Sequence, residues 1–493
     1  SGYDRRWLLG SAHLRYQTSE ISVASTTSFQ HFDDKMTLDQ DFTTADLFTM
    51  RQKQNQNAAT QEVIVKSERR SAYKWLFGAF GFYKGLTTQA PVELKKDFFA
   101  SLFPTLAPPM HVGPSGDCNS GGVYDTPSWG AAAFHQSDFS TGDVTFSVGL
   151  RLDYERISID HNTSGSLPFE IRMPPTFQPQ YYSVSAKIAG DDSQEFLQFS
   201  PKLSVNWTPF ELDGDRIYAS VSRGYRAGGY NIQLFSDLIS GEIEAGGKQA
   251  MTARGNVDRQ TELEPDVISY KPEYSWNYEI GGRKSFFRNK VSADFALFYI
   301  DTRNQQVTQF VPSGLGRVMR NAARSASYGA EIWAHGTFGN TGVDVAWGYT
   351  HATFRDYSDS VRVLNPATQK YETQHVDYSG NYVPFSPRQT LTAGVQQTFP
   401  MRSGAWIESI TAGVRYTGAG KIFFTESNGA EQDFYGLLSA DITFDKGPVS
   451  LCIWGKNLTD TTYKTFFFHG IMNNDFAQLG NPLQIGVTLK FKL

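Results

Sequence analysis

The residues of this chain that could do chemistry are charged and aromatic side chains, and their types suit recognition rather than bond making. Arg151 and Asp153 stand two apart, Glu279 and Arg283 four apart, and Arg226 closes a run of small and aromatic residues. Guanidinium and carboxylate groups of this kind either grip a charged ligand or pair with one another where they are buried. A second set is aromatic: Tyr225, Tyr230, Tyr274, Trp276, Tyr382, Phe466, Phe467, Phe468 and His469. Such rings suit planar or apolar chelates and sugars alike. His469 with Met472 nearby is compatible with a haem or metal contact, although a lone histidine in a loop is more often a solvated one. The 9 histidines are scattered. They form no helical zinc pair, and the chain has neither a nucleophile elbow nor a phosphate-binding glycine loop. Gly224 and Gly228 lie within an extended segment, and the acid pairs Asp33-Asp34 and Asp191-Asp192 fall at strand ends or in loops. No catalytic or metal-ligating set is expected, and no cofactor.

The elements that must position these residues are strands. Alternation with a period of two runs from end to end. In the last segment Leu483, Ile485, Val487, Leu489, Phe491 and Leu493 share one face, and Gln484, Gly486, Thr488, Lys490 and Lys492 the other. Earlier, Val144, Phe146, Val148, Leu150, Leu152 and Tyr154 oppose Thr145, Ser147, Gly149, Arg151, Asp153 and Glu155. Ile217, Ala219 and Val221 likewise oppose Tyr218, Ser220 and Ser222. A soluble sandwich alternates with its apolar face inward. The same pattern turned inside out, apolar to lipid and polar to a lumen, is a transmembrane β-barrel. On that reading Arg151, Asp153, Arg226, Glu279 and Arg283 face the lumen, while Tyr225 and Trp276 point outward into an aromatic girdle.

Composition permits both readings. The chain has 493 residues, 14% aromatic residues, 44 glycines and a formal net charge of −5, which gives no reason to expect nucleic acid. Mean hydropathy is −0.39. No apolar run approaches the ~18 residues of a membrane helix, and the best, Trp75 to Tyr83, is broken by glycine. A barrel escapes that test because only alternate residues meet lipid. Cys118 and Cys452 make neither a disulfide framework nor a metal motif. No linker divides the chain.

The connections favour the barrel. Short turns are expected near Thr18-Ser19, Arg69-Ser71, Ser140-Asp143, Leu212-Asp215, Arg288-Lys290, Gly339-Thr341, Met401-Ala405 and Asp445-Gly447. Between them lie longer segments around 43–58, 95–128, 161–193, 234–273, 357–386 and 469–481, and shorter ones near 312–316 and 426–432. Alternation of short and long places all long loops on one side of a membrane. The reading gives about seventeen strands, each of at least the ~9–11 residues needed to cross. Bacterial single-chain barrels have even strand numbers with both termini on one side. The first strand, roughly Arg6 to Gln17, runs in the same direction as the last. An odd number of strands is therefore expected before residue 1, and Ser1-Gly2-Tyr3-Asp4 reads as the middle of something longer.

Several segments carry a resemblance. Ser222-Arg223-Gly224-Tyr225-Arg226-Ala227-Gly228-Gly229-Tyr230-Asn231 resembles a hallmark barrel segment of TonB-dependent outer-membrane receptors. So do Glu262-Leu263-Glu264-Pro265, Tyr270-Lys271-Pro272-Glu273 and Trp276-Asn277-Tyr278-Glu279-Ile280-Gly281. Lys456-Asn457-Leu458-Thr459-Asp460 with Tyr463 resembles the family's penultimate strand, and Gly480-Asn481-Pro482 leads into the final one. Each motif is weak; their order along most of the chain is strong. The resemblance implies a barrel of about 22 strands filled by an N-terminal plug, with a short N-terminal box engaging the TonB energy-transducing complex. Plug, box and first strands are not in this sequence, so residues 1–493 are expected to be barrel alone. The final Leu493 departs from the family's usual aromatic, with Phe491 two positions before it on the same face.

The resemblance assigns roles. Arg151, Asp153, Glu279 and Arg283 are expected to hold the plug or to pair along the wall. Arg226, Tyr230, Tyr274, Tyr382, Phe468 and His469 are the candidate ligand contacts, because ligand enters from outside at loops and upper strand ends. The expected function is energy-coupled import of a scarce nutrient across the outer membrane of a Gram-negative bacterium, a ferric siderophore first, with cobalamin, haem or oligosaccharide as alternatives. A passive porin-like channel and a soluble all-β enzyme or adhesin are the rivals. The expected partners are outer-membrane lipid, the plug, the TonB complex and the ligand.

Overall fold

A computed structural model of the chain describes residues 2–39, 48–69, 71–95, 111–116, 118–209, 214–310, 317–365, 370–469 and 475–492. Within them, one sheet holds 21 strands. Four of these are short additions at one end: Val92–Leu94, His111–Pro114, Cys118–Asp125 and Val257–Thr261. The other seventeen follow one another in chain order, each antiparallel to the next, from Gly2–Gln17 to Gln484–Phe491. This is the wall of an antiparallel β-barrel, with the strand number that the alternation predicts.

The short turns fall at one end, as expected. Strand Ser128–Thr141 turns into Val144–Arg172 through Gly142, whose φ of +55° is the left-handed conformation that a two-residue hairpin needs and side chains resist. The turn 212–215 lies partly outside the described residues, and 312–316 wholly so.

The faces follow the predicted parity. Leu150, Leu152, Phe199, Leu203, Ile280, Leu297, Ile332 and Val414 all point outward and are 44–52% exposed. Each leaves roughly half of the ~1.5–3 kcal/mol of a full burial unrealised in water, and a continuous outward band of such residues is the surface that lipid covers in a membrane barrel. Tyr278, Tyr299 and Tyr328 lie side by side in register above it, and Trp207, Phe286, Phe338 and Phe399 below it, as aromatic girdles do. Among the described residues, no helix is long and apolar enough to cross a membrane.

Two expected loops are corrected. Segment 161–193 is mostly strand: Val144–Arg172 and Pro179–Trp207 form one tall hairpin, paired from Trp207↔Val144 to Pro179↔Arg172. Segment 43–58 likewise enters the strand Phe48–Ser67. Serine, glycine and asparagine make 161–172 look loop-like, but its alternation persists. Ile159, His161, Thr163, Leu167, Phe169 and Ile171 are buried, whereas Asp160, Asn162, Ser164 and Ser166 are exposed.

What covers that buried face is the helix Leu234–Ala253, inside the expected loop 234–273. Phe235, Ile239, Ile243, Gly246 and Ala250 form its buried stripe, at helical spacing. With the tall hairpin they make an apolar core that also takes in Tyr124, Val184, Ala186 and Ile188. Helix and sheet meet closely: a Cβ on Gly165 would stand 2.5 Å from Ile243 Cδ1.

Candidate functional site

The inner wall is built from the polar positions of each strand. Arg151 donates from Nε and a terminal nitrogen to Asp153 at 2.7–2.9 Å, and its guanidinium lies over the rings of Phe134 and Phe80 at 5.3 and 5.9 Å. Tyr218 donates to Glu279 at 2.5 Å. Arg283 stands between Arg216 and Asp294 in the register. Arg151 thus pairs within its own strand and lies over rings of two others, and Tyr218 and Glu279 pair across adjacent strands. Asn206 Oδ1, Asn277 Oδ1 and Asp294 Oδ2 are buried in the wall without a hydrogen-bond partner among the described residues.

Higher up, the wall opens. Strand Arg216–Arg226 pairs with the tall hairpin only from Trp207↔Ile217 to Lys202↔Ser222, while its other ladder, to Glu273–Phe286, continues to Arg226↔Glu273. The freed top is tied across the hairpin by side chains. Gln198 donates to Tyr274 Oη at 3.2 Å, Arg223 to the Phe199 carbonyl at 2.7 Å, and Gln194 to the Gly229 carbonyl at 3.1 Å. Tyr230 donates to Asp192 at 3.0 Å, and burial followed by that carboxylate raises its phenol well above the ordinary range. Tyr230 and Tyr274 therefore serve as ties between the helix-bearing segment and the hairpin. Arg226 is exposed at the top of its strand opposite Glu273.

Tyr382 lies elsewhere, in a string of rings formed by the loops after strand Thr341–Asp356. Its ring stacks on Phe423 at 5.1 Å and meets His351 edge-on at 5.1 Å, with the Arg388 guanidinium 4.8 Å above. Asn428 clamps its backbone, accepting from the Tyr382 amide at 2.7 Å and donating to its carbonyl at 3.0 Å. The neighbouring Phe424 packs against Phe385 at 5.6 Å, and Phe385 stacks on Phe466 at 5.4 Å. The Arg317 guanidinium caps Phe466 at 4.8 Å.

That last contact is long-range. Phe466 belongs to a hairpin, Lys464–His469 with Asp475–Leu479, that leads into the final strand, whereas Arg317 opens the strand Arg317–Phe338. Four wall strands separate them, so the hairpin reaches across the mouth. Tyr463, at its base, stacks at 4.3 Å on Tyr435 of the wall. A cleft of about 510 Å³ lies here, lined by Arg317, Tyr463, Thr465, Phe466, Gln478 and Asn481. Phe468 and His469 are placed in the hairpin by backbone only; their side chains, and Met472, lie outside the described residues.

Of the aromatic residues singled out in the sequence, Tyr382 and Phe466 lie in this string, together with Phe385, Arg388, Phe423, Phe424 and Arg317, which the sequence did not single out. The signals available were the doublet Phe423-Phe424 and the prolines 384 and 387 that hold Phe385 in a rigid loop. Chemically the string offers flat apolar faces edged by guanidinium groups, suited to binding an aromatic or anionic ligand. Among the described residues, no group of three or more His, Cys, Asp or Glu is placed to hold a metal ion.

An antiparallel wall with an apolar outer band and a polar inner face defines a transmembrane type of β-barrel. The chain belongs to the TonB dependent receptor-like β-barrel family, whose model matches residues 1–458. It is 23% identical over 284 residues to the pesticin receptor of Yersinia enterocolitica, covering 57% of this chain and 34% of that protein. The pesticin receptor of Yersinia pestis gives 23% over 286 residues, with 57% and 34% covered. The crystal structure of the ferric yersiniabactin uptake receptor of Yersinia pestis superposes with a TM-score of 0.66 at 17% identity, covering 99% of this chain and 61% of that one. The chain thus spans about a third of the length of these curated relatives.

Proposed function

We propose that this chain is the barrel of an outer-membrane receptor that imports a scarce, bulky nutrient, with a ferric siderophore as its cargo. The supporting observation is the mouth: rings and guanidinium groups from loops distant in sequence converge above a lumen whose wall is polar. A passive porin has no need of a hairpin reaching across its opening. In this proposal a plug domain, further strands and a TonB-contacting box belong to the same protein, and Arg151, Asp153, Glu279 and Arg283 of the inner wall contact the plug. Extracellular loops capture the chelate. The inner-membrane motor then drives the plug to rearrange, and the barrel's own chemistry is binding only. Family membership and the ferric yersiniabactin cargo of the superposed Yersinia pestis receptor support a ferric chelate over a glycan or cobalamin.

The test is abundance of the protein in its native outer membrane with iron plentiful and with iron chelated. The proposal expects a several-fold rise under chelation, together with loss of chelate-bound iron uptake when the gene is deleted. Unchanged abundance and unchanged uptake would contradict it.

A further inference from the structure

We infer that the outer face of the wall, just above the aromatic girdle, binds a phosphorylated glycolipid of the outer leaflet, with its phosphates on arginine side chains and its acyl chains along the apolar band. This goes beyond the import reading and rests only on a barrel that spans the outer membrane with its short turns inside.

The arginines continue the lipid-facing parity of their strands. Along Val291–Phe310 that face runs through the exposed Phe295, Leu297 and Tyr299 to Asp301 and Arg303. Along Arg317–Phe338 it runs from Ile332 through Tyr328 to Arg324. The register sets Tyr278, Tyr299 and Tyr328 side by side, and Tyr274, Arg303 and Arg324 in one row beyond them. Arg223, from strand Arg216–Arg226, extends the row, its guanidinium 4.9 Å from the centre of the Tyr274 ring. Arg303 lies four residues past Tyr299, about 10 Å higher on a strand tilted by ~40°. That is the level of lipid headgroups.

Charge in this row is not balanced. Arg303 and Arg324 stand directly opposite one another, an arrangement of like charges that is destabilising by itself. They share one carboxylate, Asp301, at 3.8 and 2.7 Å. The Asp301 side chain is largely covered, whereas those of Arg303 and Arg324 are 68% and 48% exposed. Arg223 donates to the Phe199 carbonyl at 2.7 Å and pairs with no carboxylate among the described residues. Opposite Arg324 the strand Thr341–Asp356 is irregular, which sets the exposed Arg355 beside Asp356. Four guanidinium groups thus meet two carboxylates, and the surplus is positive. Arg156, equally outward, is by contrast held by Glu195 at 3.3 Å.

Guanidinium groups grip phosphate oxygens in pairs. From Arg223 to Arg324 the row crosses three strand spacings, about 14 Å. A headgroup with two phosphates set apart by sugar rings reaches both ends of such a row, and a single phosphate does not. The acyl chains then lie over Trp276, Tyr278 and Tyr299, and over Ile280, Leu297 and Ile332 below them, all of which are exposed.

The experiment is lipid binding by the full-length protein in detergent, read by native mass spectrometry. The probes are diphosphoryl lipid A, monophosphoryl lipid A, phosphatidylglycerol and inorganic phosphate. Diphosphoryl lipid A is expected to bind at least about tenfold tighter than phosphatidylglycerol, with the monophosphoryl form between them, and inorganic phosphate should not displace it. Arg303→Gln keeps the Arg324–Asp301 pair and should weaken diphosphoryl lipid A several-fold. Arg223→Gln combined with Arg303→Gln should weaken it at least about tenfold, and Arg156→Gln should leave it unchanged. Heat-modifiable migration shows which variants retain the barrel. Equal binding of phosphatidylglycerol, displacement by inorganic phosphate, or unaltered binding in the folded double variant would each overturn the inference. Each of these outcomes leaves the import reading standing.

Discussion

The lower and upper halves of the tall hairpin have the same backbone and opposite polarity. In the lower half of Val144–Arg172 the odd residues Arg151 and Asp153 face inward as an ion pair, and the even residues Leu150 and Leu152 face outward and apolar. In the upper half the odd residues Ile159, Leu167, Phe169 and Ile171 still face inward but are now the apolar core. The even residues Asn162 and Ser164 face outward and are polar. The register to Pro179–Trp207 is unbroken, so no bulge has flipped the faces. What changes is the medium: lipid outside the lower half, water outside the upper half, and the helix Leu234–Ala253 inside the latter. A reversal of polarity at constant parity therefore marks where the strand leaves the membrane, between Asp153 and Ile159.

This contrast can be broken from either half. The largest effect should come from Phe235→Ala, which empties the centre of the upper core where Phe235 is fully buried against Tyr124 and His161. A loss of about 3–5 kcal/mol is expected for such a truncation, confined to the helix and hairpin tip. Hydrogen exchange should show it there, while heat-modifiable migration of the barrel stays unchanged. Next comes Leu150→Arg, which puts a charge on the lipid face. It should lower barrel stability by about 2–4 kcal/mol, read as a shifted denaturant midpoint. Ser164→Arg, equally outward but above the boundary, should change it by less than about 0.5 kcal/mol.

A pH effect should be smaller and local. Burial lowers the His161 pKa, outweighing the Ile188 backbone hydrogen bond and the nearby Asp160 and Asp191 carboxylates, which raise it. Its ring lies 4.6 Å from Phe235, and its Nδ1 is buried without a partner among the described residues. The folded tip therefore prefers the neutral ring. Stability of the tip is full above the unfolded histidine's range and declines as pH falls below it, towards the lowered folded value. Hydrogen exchange of the helix should accelerate between neutral and mildly acidic pH, and His161→Gln should flatten that dependence.

How much was legible in the sequence follows the same division. The wall was legible because lipid on one side and a polar lumen on the other impose strict alternation, as in Val144–Tyr154 and Leu483–Phe491. The tip was not. Gly165, Ser164 and Ser166 read as loop, yet glycine is there to let Ile243 approach. The helix's stripe contains Gly246 and Gly247, which dilute its apolar signal. Of the mouth, single aromatic residues were visible, but their partnership was not. Arg317 meets Phe466 only because a hairpin crosses four strands, and no local pattern records that. Tyr230 and Tyr274 looked like ligand contacts from their position near the top, and their hydroxyls are engaged by Asp192 and Gln198.

The measurement that tests this account most directly is cysteine labelling on intact cells with a water-soluble, membrane-impermeant maleimide. Single cysteines are placed at Val148, Leu150, Leu152, Asn162, Ser164 and Ser166 in a protein whose Cys118 and Cys452 have been changed to serine. The account predicts rapid labelling at the upper three positions and none at the lower three. Equal labelling at Leu150 and Ser164, or protection of all six, would contradict a barrel wall that leaves the membrane between Asp153 and Ile159.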